Sequence, residues 1–167
     1  MKKYNVAVVG ATGAVGTEML KVLEEYDLPI DKFKVIASPR SKGKELTFKG
    51  EKYKVETIEK GIFEDIDIAL FSIGSSNSNK FVPQAVYEGA LVIDNSNAFR
   101  MDDDVPLVVP EINPEAIKEH NGIIANPNCS TIQMVMALNP IRKEHVINKI
   151  IVSTYQAVSG TGQKAVE

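Results

Sequence analysis

The run Gly10-Ala11-Thr12-Gly13-Ala14-Val15-Gly16 constrains this chain more than any other feature. It follows Tyr4 to Val9, a short apolar stretch of strand-forming residues. After it, Met19, Val22, Leu23 and Tyr26 recur at i, i+3, i+4 and i+7, with Glu18, Lys21 and Glu25 between them as on the solvent face of a helix. In such a strand–turn–helix unit the first glycine permits the tight turn and the second lets a phosphate approach the backbone. The third lets helix and strand pack closely. Amides at the helix start, with the positive end of its dipole, favour anions there. The spacing is G-x-x-G-x-x-G rather than G-x-G-x-x-G, so an ordinary tight turn stands as the alternative.

Strand and helix signals alternate through the remainder. Pro29 is expected to end the first helix, and Phe33 to Ala37 reads as a second strand. Leu46 to Phe48 and Tyr53 to Ile58, either side of Gly50, suggest a hairpin. Ile66 to Ile73 is a buried-type strand, followed by a loop through Asn79 and a helix from Lys80 to Glu88 that stops at Gly89. Ala90 to Ile93 and Gly122 to Ala125 are further strands, with a short apolar piece at Pro106 to Val109. Asn113-Pro114 has the form of a helix start, a capping side chain followed by proline. A helix from the Asn126–Ser130 region through about Pro140 and a long strand from Ile147 to Val158 complete the pattern. This alternation predicts an α/β, Rossmann-like fold with a parallel, doubly wound sheet.

Composition narrows the class. Of 167 residues, 44% are hydrophobic and 25% charged, as in a globular protein. No apolar run approaches the roughly 18 residues of a membrane helix, and the start Met1-Lys2-Lys3 leads into a strand broken at Gly10 rather than a signal peptide. Nineteen basic and 22 acidic side chains give a net charge of −3, with no basic, aromatic-rich run, so no nucleic-acid or membrane partner is expected. The single cysteine, Cys129, cannot form an internal disulfide and fits a reducing, cytoplasmic setting.

The end of the second strand bears on the cofactor. An acid about 20 residues past the glycines bonds the ribose 2′-hydroxyl in NAD sites. Here Ser38 and Arg40 occupy that place, and no acid follows until Glu45. A hydroxyl and a planar fork of donors suit a 2′-phosphate, so NADP is favoured over a merely solvated basic loop. Cys129 lies where a loop becomes a helix with Ile132, Val135, Met136 and Leu138 as its apolar face. Amides and dipole at a helix start favour a thiolate, the nucleophilic form. The alternative is a buried structural cysteine, which the polar flanks Asn126, Asn128, Ser130 and Thr131 disfavour. A thiolate beside a dinucleotide suits aldehyde oxidation through a thiohemiacetal and a thioester.

Five motifs then stand in order: Gly10 to Gly16, Asp94-Asn-Ser-Asn-Ala-Phe-Arg100, Val109-Pro-Glu-Ile-Asn113, Asn126-Pro-Asn-Cys-Ser-Thr131 and Ser153-Thr-Tyr-Gln-Ala-Val-Ser-Gly160. In these the chain resembles the aspartate-semialdehyde dehydrogenase family, bacterial branch, along its whole length. The resemblance implies NADPH-dependent reduction of aspartyl phosphate to aspartate semialdehyde and phosphate, on the route to lysine, threonine and methionine. It implies Cys129 as the acylated thiol, Gln156 as the residue orienting substrate, and Arg100 with Asn128 as phosphate or substrate ligands. For the cofactor it implies Gly10, Thr12, Gly13, Ala14 and Val15 at the pyrophosphate. Arg40 and Ser41 would hold the 2′-phosphate, with Ser38 near the adenine ribose, Ser72 at the strand end, and Ser159 and Gly160 by the nicotinamide. A homodimer or homotetramer is implied as well, and no metal.

The family's acid–base histidine has no match in His120 or His145, which read as structural. The family chain is about twice as long, so residues 1–127 are expected to form the NADP-binding domain and 128–167 the start of an α+β catalytic and dimerisation domain. Alone, these residues are expected to be inactive and, beyond about Asn126, poorly packed or held by a partner chain. Related acyl-phosphate reductases, such as N-acetyl-glutamyl-phosphate reductase, and a non-catalytic nucleotide-binding module are the competing readings.

Overall fold

The computed structural model describes residues 2–156 and residue 158. Five parallel strands form one sheet in the order β2-β1-β5-β6-β7: β1 Tyr4–Val9, β2 Ile30–Ile36, β5 Ile68–Phe71, β6 Leu91–Asp94 and β7 Ile123–Ala125. A two-stranded hairpin, β3 Glu45–Phe48 and β4 Glu51–Lys54, lies apart from it in pairing. The helices are α1 Ala14–Glu25, α2 Ser75–Tyr87 and α3 Cys129–Glu144.

Strand β1 shows why the sheet is covered on both faces. Val6 and Val8 belong to an apolar cluster with Leu20 of α1, Phe33 and Val35, whereas Ala7 and Val9 belong to another with Val82 and Ala85 of α2. A strand apolar at successive positions can satisfy both sides only in the middle of a doubly wound sheet. The hairpin closes the α1 face: Phe48 stacks on Phe33 with ring centroids 4.0 Å apart, and Tyr53 meets Phe33 edge-on. Its turn, Lys49 (φ 48) and Gly50 (φ 80), has two positive φ values, as a two-residue turn matching strand twist requires.

Several sequence expectations need correction. The predicted face of α1 is rotated: Leu20 and Gly16 are buried, while Val22 and Tyr26 are exposed. After Lys54 the chain leaves the hairpin, and Glu56 pairs beside Ile36 of β2, where backbone partners are open. Helix α2 starts at Ser75, not Lys80, because Gly74 (φ 76) turns the chain directly into it. It ends as predicted at Gly89, whose N–H bonds the Val86 carbonyl while Ala90 bonds that of Ala85, a left-handed cap. Pro114–Glu119 is a 3-10 helix, and Asn113 does not cap it with its side chain. That amide accepts from the Val109 N–H and donates to the Leu107 carbonyl.

Helix α3 continues past Pro140 to Glu144, and none of its residues is buried. The strand expected from Ile147 to Val158 is not formed over 147–156: these residues have no strand partner, and Ala157 lies outside the described residues. A strand without neighbours lacks the ladder that stabilises it, which accounts for the loss. Among the described residues no helix is long and apolar enough to cross a membrane.

Candidate active site

Strand order reverses between β1 and β5, and in open α/β sheets the ligand crevice forms outside the carboxyl ends of the strands at that point. Gly10 (φ +94) follows β1 there, and a Cβ on it would lie 2.2 Å from the Ser72 carbonyl oxygen at the end of β5. A Cβ on Gly16 would lie 2.0 Å from the Gly10 oxygen. The first and third glycines are therefore demanded by packing within the loop. Gly13, at the N-cap of α1, would meet only that same oxygen, at 3.3 Å, and otherwise faces open space. No side chain caps α1 at Gly13, which leaves first-turn amides available to an anion.

The glycine loop is tied to the end of β2. Thr12 Oγ1 donates to Ser41 Oγ at 3.3 Å, and Ser41 is buried in a 3-10 turn at Pro39–Ser41. Ser38 and Arg40 stand exposed on that turn. A cleft of about 280 Å³ runs from here to α2, with Val9 and Ile73 at the strand ends, Ser38, Pro39, Thr57 and Ile58 on one wall, and Asn77, Lys80 and Phe81 on the other. An acid that spacing along the chain could not reveal stands near this wall. Glu59 accepts from Lys42 Nζ at 2.9 Å and from Thr57 Oγ1 at 3.0 Å. Those hydrogen bonds, Lys42 first, hold its carboxyl below the usual range. These residues suit a dinucleotide: glycines where backbone must approach, free amides, and cations with a hydroxyl at the far end.

The second half of the site lies at the ends of β6 and β7. Asp94 is fully buried and accepts from Ser78 Oγ of α2 at 2.9 Å and from Ser96 Oγ at 2.5 Å. Asn95, next along, accepts the Asn126 amide at 2.8 Å through its side chain. Arg100 donates Nε to the Asn126 carbonyl at 2.8 Å and Nη2 to the Asn95 carbonyl at 3.0 Å. Asn128 then caps α3, its Oδ1 accepting the Ser130 N–H at 3.0 Å, and Cys129 is exposed on the first turn with Sγ 4.0 Å from that oxygen. Cys129 is thus not a buried thiol. The Arg100 guanidinium is thus bonded to Asn126, which leads directly through Asn128 to Cys129.

Other predicted residues fare differently. Ser72 is half-buried, with its N–H on the Val9 carbonyl and its own carbonyl against Gly10, so its backbone shapes the glycine turn. Gln156 is exposed and outside any strand. Ser159 and Gly160 lie outside the described residues. His120 accepts the Gly122 N–H through Nδ1 at 3.1 Å, a turn role matching its structural reading, and His145 follows the end of α3. The positions that sequence reasoning left without roles were Asp94, Asn95, Asn126 and the α2 wall of the cleft.

Sheet order, the glycine turn and the cleft define a nicotinamide-dinucleotide-binding domain of the doubly wound class. Residues 5–120 match the family described as semialdehyde dehydrogenase, NAD binding domain, and the chain belongs to that family. It is 58% identical over 163 residues to an aspartate-semialdehyde dehydrogenase of Bacillus subtilis, covering 98% of this chain and 47% of the relative. It also superposes, with a TM-score of 0.94, on the crystal structure of aspartate semialdehyde dehydrogenase II from Vibrio cholerae, at 50% identity over 99% of this chain and 50% of that one. The structure of the Candida albicans enzyme with NADP is similar at a TM-score of 0.73 and 26% identity, covering 86% of this chain and 48% of that one. The chain spans about half the length of the relatives it matches.

Proposed function

We propose that residues 1–127 form the NADP-binding domain of an aspartate-semialdehyde dehydrogenase and that residues 128–167 open its catalytic domain. The reaction is reductive dephosphorylation of L-aspartyl 4-phosphate to L-aspartate 4-semialdehyde, a cytoplasmic step toward lysine, threonine and methionine. The observation that carries this reading is the exposed Cys129 at a capped helix start, three residues after Asn126, whose carbonyl accepts the Arg100 guanidinium. The Bacillus subtilis relative bears the name of this activity at 58% identity, and the Candida albicans structure holds NADP.

On this reading the Cys129 thiolate attacks the acyl phosphate carbon, forming the C–S bond as the C–O bond to phosphate breaks. Arg100 and Asn128 hold the departing phosphate. Reduced nicotinamide, when bound, supplies the hydride that takes the thioester carbonyl to the aldehyde level. Collapse of the tetrahedral adduct then returns the electron pair to Sγ and releases the aldehyde. Gln156 orients the acyl group. Gly10, Thr12, Gly13, Ala14 and Val15 receive the pyrophosphate, Ser38, Arg40 and Ser41 the 2′-phosphorylated ribose, and Ser159 and Gly160 the nicotinamide. His120 accepts the Gly122 N–H in a turn and takes no part in these steps. Assembly into a homodimer or homotetramer belongs to the same reading.

The test is phosphate-dependent reduction of NADP⁺ by aspartate semialdehyde in a full-length enzyme carrying these residues, with Cys129→Ala beside its unaltered form. Loss of turnover with NADP⁺ binding retained is expected, and a polypeptide of residues 1–167 alone should bind NADP⁺ without turnover. Undiminished turnover in the variant, or strict preference for another acyl phosphate, would defeat the proposal.

A further inference from the structure

We infer that Lys80 of α2 is a ligand for the 2′-phosphate of the dinucleotide, acting across the cleft from the Arg40 turn and setting preference for NADP over NAD. The inference rests on the cofactor reading above and assigns a residue that lies outside every motif carrying it. The cleft at the end of β2 has two walls of different character. Ser38 and Pro39, with Arg40 beyond them, come from the chain leaving β2, whereas Asn77, Lys80 and Phe81 come from α2. Val9, Ile58 and Ile73 give the cleft an apolar lining suited to a heteroaromatic base, which leaves the charged rim to the sugar phosphate.

Charge around this rim is unbalanced. Glu59, which accepts from the wall residue Thr57, is also engaged by Lys42 Nζ, and the Lys42–Glu59 pair is neutral as a unit. Lys80 Nζ lies 4.9 Å from the Phe81 ring centroid and, among the described residues, pairs with no carboxylate. The ring face steers the ammonium without cancelling its charge. Arg40 is likewise exposed and unpaired among the described residues. One uncompensated cation lines the α2 wall and the other sits on the turn that carries the facing wall, so a dianion at that rim gains attraction from both. A ribose bearing only hydroxyls gains nothing comparable.

Calorimetric titration of the chain with NADP⁺, NAD⁺, 2′,5′-ADP and 5′-AMP tests this in the unaltered protein, in Lys80→Met and in Lys80→Arg. Methionine retains the apolar stem and removes the charge. The expected result is a loss of ~10-fold in affinity for NADP⁺ and 2′,5′-ADP in Lys80→Met, the low end for a charge-assisted hydrogen bond at a solvated rim. NAD⁺ and 5′-AMP should bind as before, and Lys80→Arg should recover the phosphate-bearing ligands. Equal weakening of all four ligands would mean that Lys80 only walls the base and would overturn the inference, as would no change in any. Failure of the unaltered chain to bind either dinucleotide would instead remove the cofactor reading, and the inference with it.

Discussion

Arg100 is fixed through carbonyl oxygens: its Nε donates to Asn126 at 2.8 Å and its Nη2 to Asn95 at 3.0 Å. These acceptors set the plane of the guanidinium and leave its charge uncancelled, since no carboxylate pairs with it among the described residues. The exposed acids Asp102, Asp103 and Asp104 follow closely in sequence, yet backbone geometry decides where the arginine lies. A cation held by neutral partners keeps its capacity for an anion.

Lysine cannot make both of those bonds and still offer a fork to an anion. In a full-length enzyme carrying these residues, Arg100→Lys should therefore raise the KM for phosphate by about tenfold or more, from the ~1.5–3 kcal/mol of a hydrogen bond to a charged group. Affinity for NADP⁺ should hold, because Arg100 is not among the residues lining the cleft and, among the described residues, bonds only Asn126 and Asn95. Steady-state kinetics beside a binding titration checks both, and a parallel loss of cofactor affinity would count against the assignment.

The glycine loop separates folding from binding. Gly16→Ala drives a Cβ to within 2.0 Å of the Gly10 carbonyl oxygen, a rigid backbone atom. Overpacking of this kind costs at least the upper end of ~1–3 kcal/mol, a fall in Tm of about 6–12 °C in a chain of this size. Gly13→Ala meets only one oxygen at 3.3 Å and has an ordinary φ of −81°, so it should melt close to the parent. Its methyl enters the space proposed for the pyrophosphate, and NADP⁺ binding should weaken. Thermal melts with matched titrations decide this; a stable Gly16→Ala would refute the packing argument.

The βα unit was legible because its signals are local: β-formers, three glycines and a helical period lie within one short span. The same local logic placed Gly50 in a hairpin turn and Cys129 at a helix start. It misjudged α1's buried face and the start of α2, where Gly74's conformation rather than apolar spacing sets the boundary. Ile147–Val158 has the composition of a strand, but composition cannot supply neighbours. Glu59 went unremarked and Asp94, though the first residue of a motif, had no role, for a different reason. Each gains its role from partners far along the chain, Lys42 for one and Ser78 for the other.

Asp65 links two basic side chains of β2, accepting Lys32 Nζ at 2.8 Å and Lys34 Nζ at 2.9 Å. The hydrogen bond from Lys32, then that from Lys34, lowers its pKa from 3.8 to about 2. A carboxyl whose folded value lies below its unfolded value stabilises the fold above about pH 4. That contribution fades as pH falls from 3.8 toward 2. With 42% of its side chain exposed, solvent screening limits the effect to about 0.5–1 kcal/mol. Asp65→Asn should flatten that part of the acid-unfolding profile and leave the neutral-pH difference within the same range. An unchanged acid limb would show that the pair contributes nothing measurable.

Asp94 offers the strongest stability test, since a fully buried carboxylate is tolerated only when its oxygens are occupied. Ser78 reaches it from α2, and Ser96 from the loop leading to Arg100, where Ser96 Oγ also accepts the Ala98 N–H at 3.1 Å. One side chain thus ties the helix that walls the cleft to the loop that carries Arg100. Asp94→Ala strands both hydroxyls, Ser78 in the core, and should cost about 2–4 kcal/mol in chemical denaturation. Asp94→Asn keeps one acceptor and lets the other hydroxyl reverse its role, so it should cost less than half as much. Ser78→Ala releases the helix alone, and the double variant with Asp94→Ala should lose less than the sum of the singles, because the two groups share one bond. Additive losses would mean that the buried contact contributes no coupling, and Asp94 would then act on each neighbour separately.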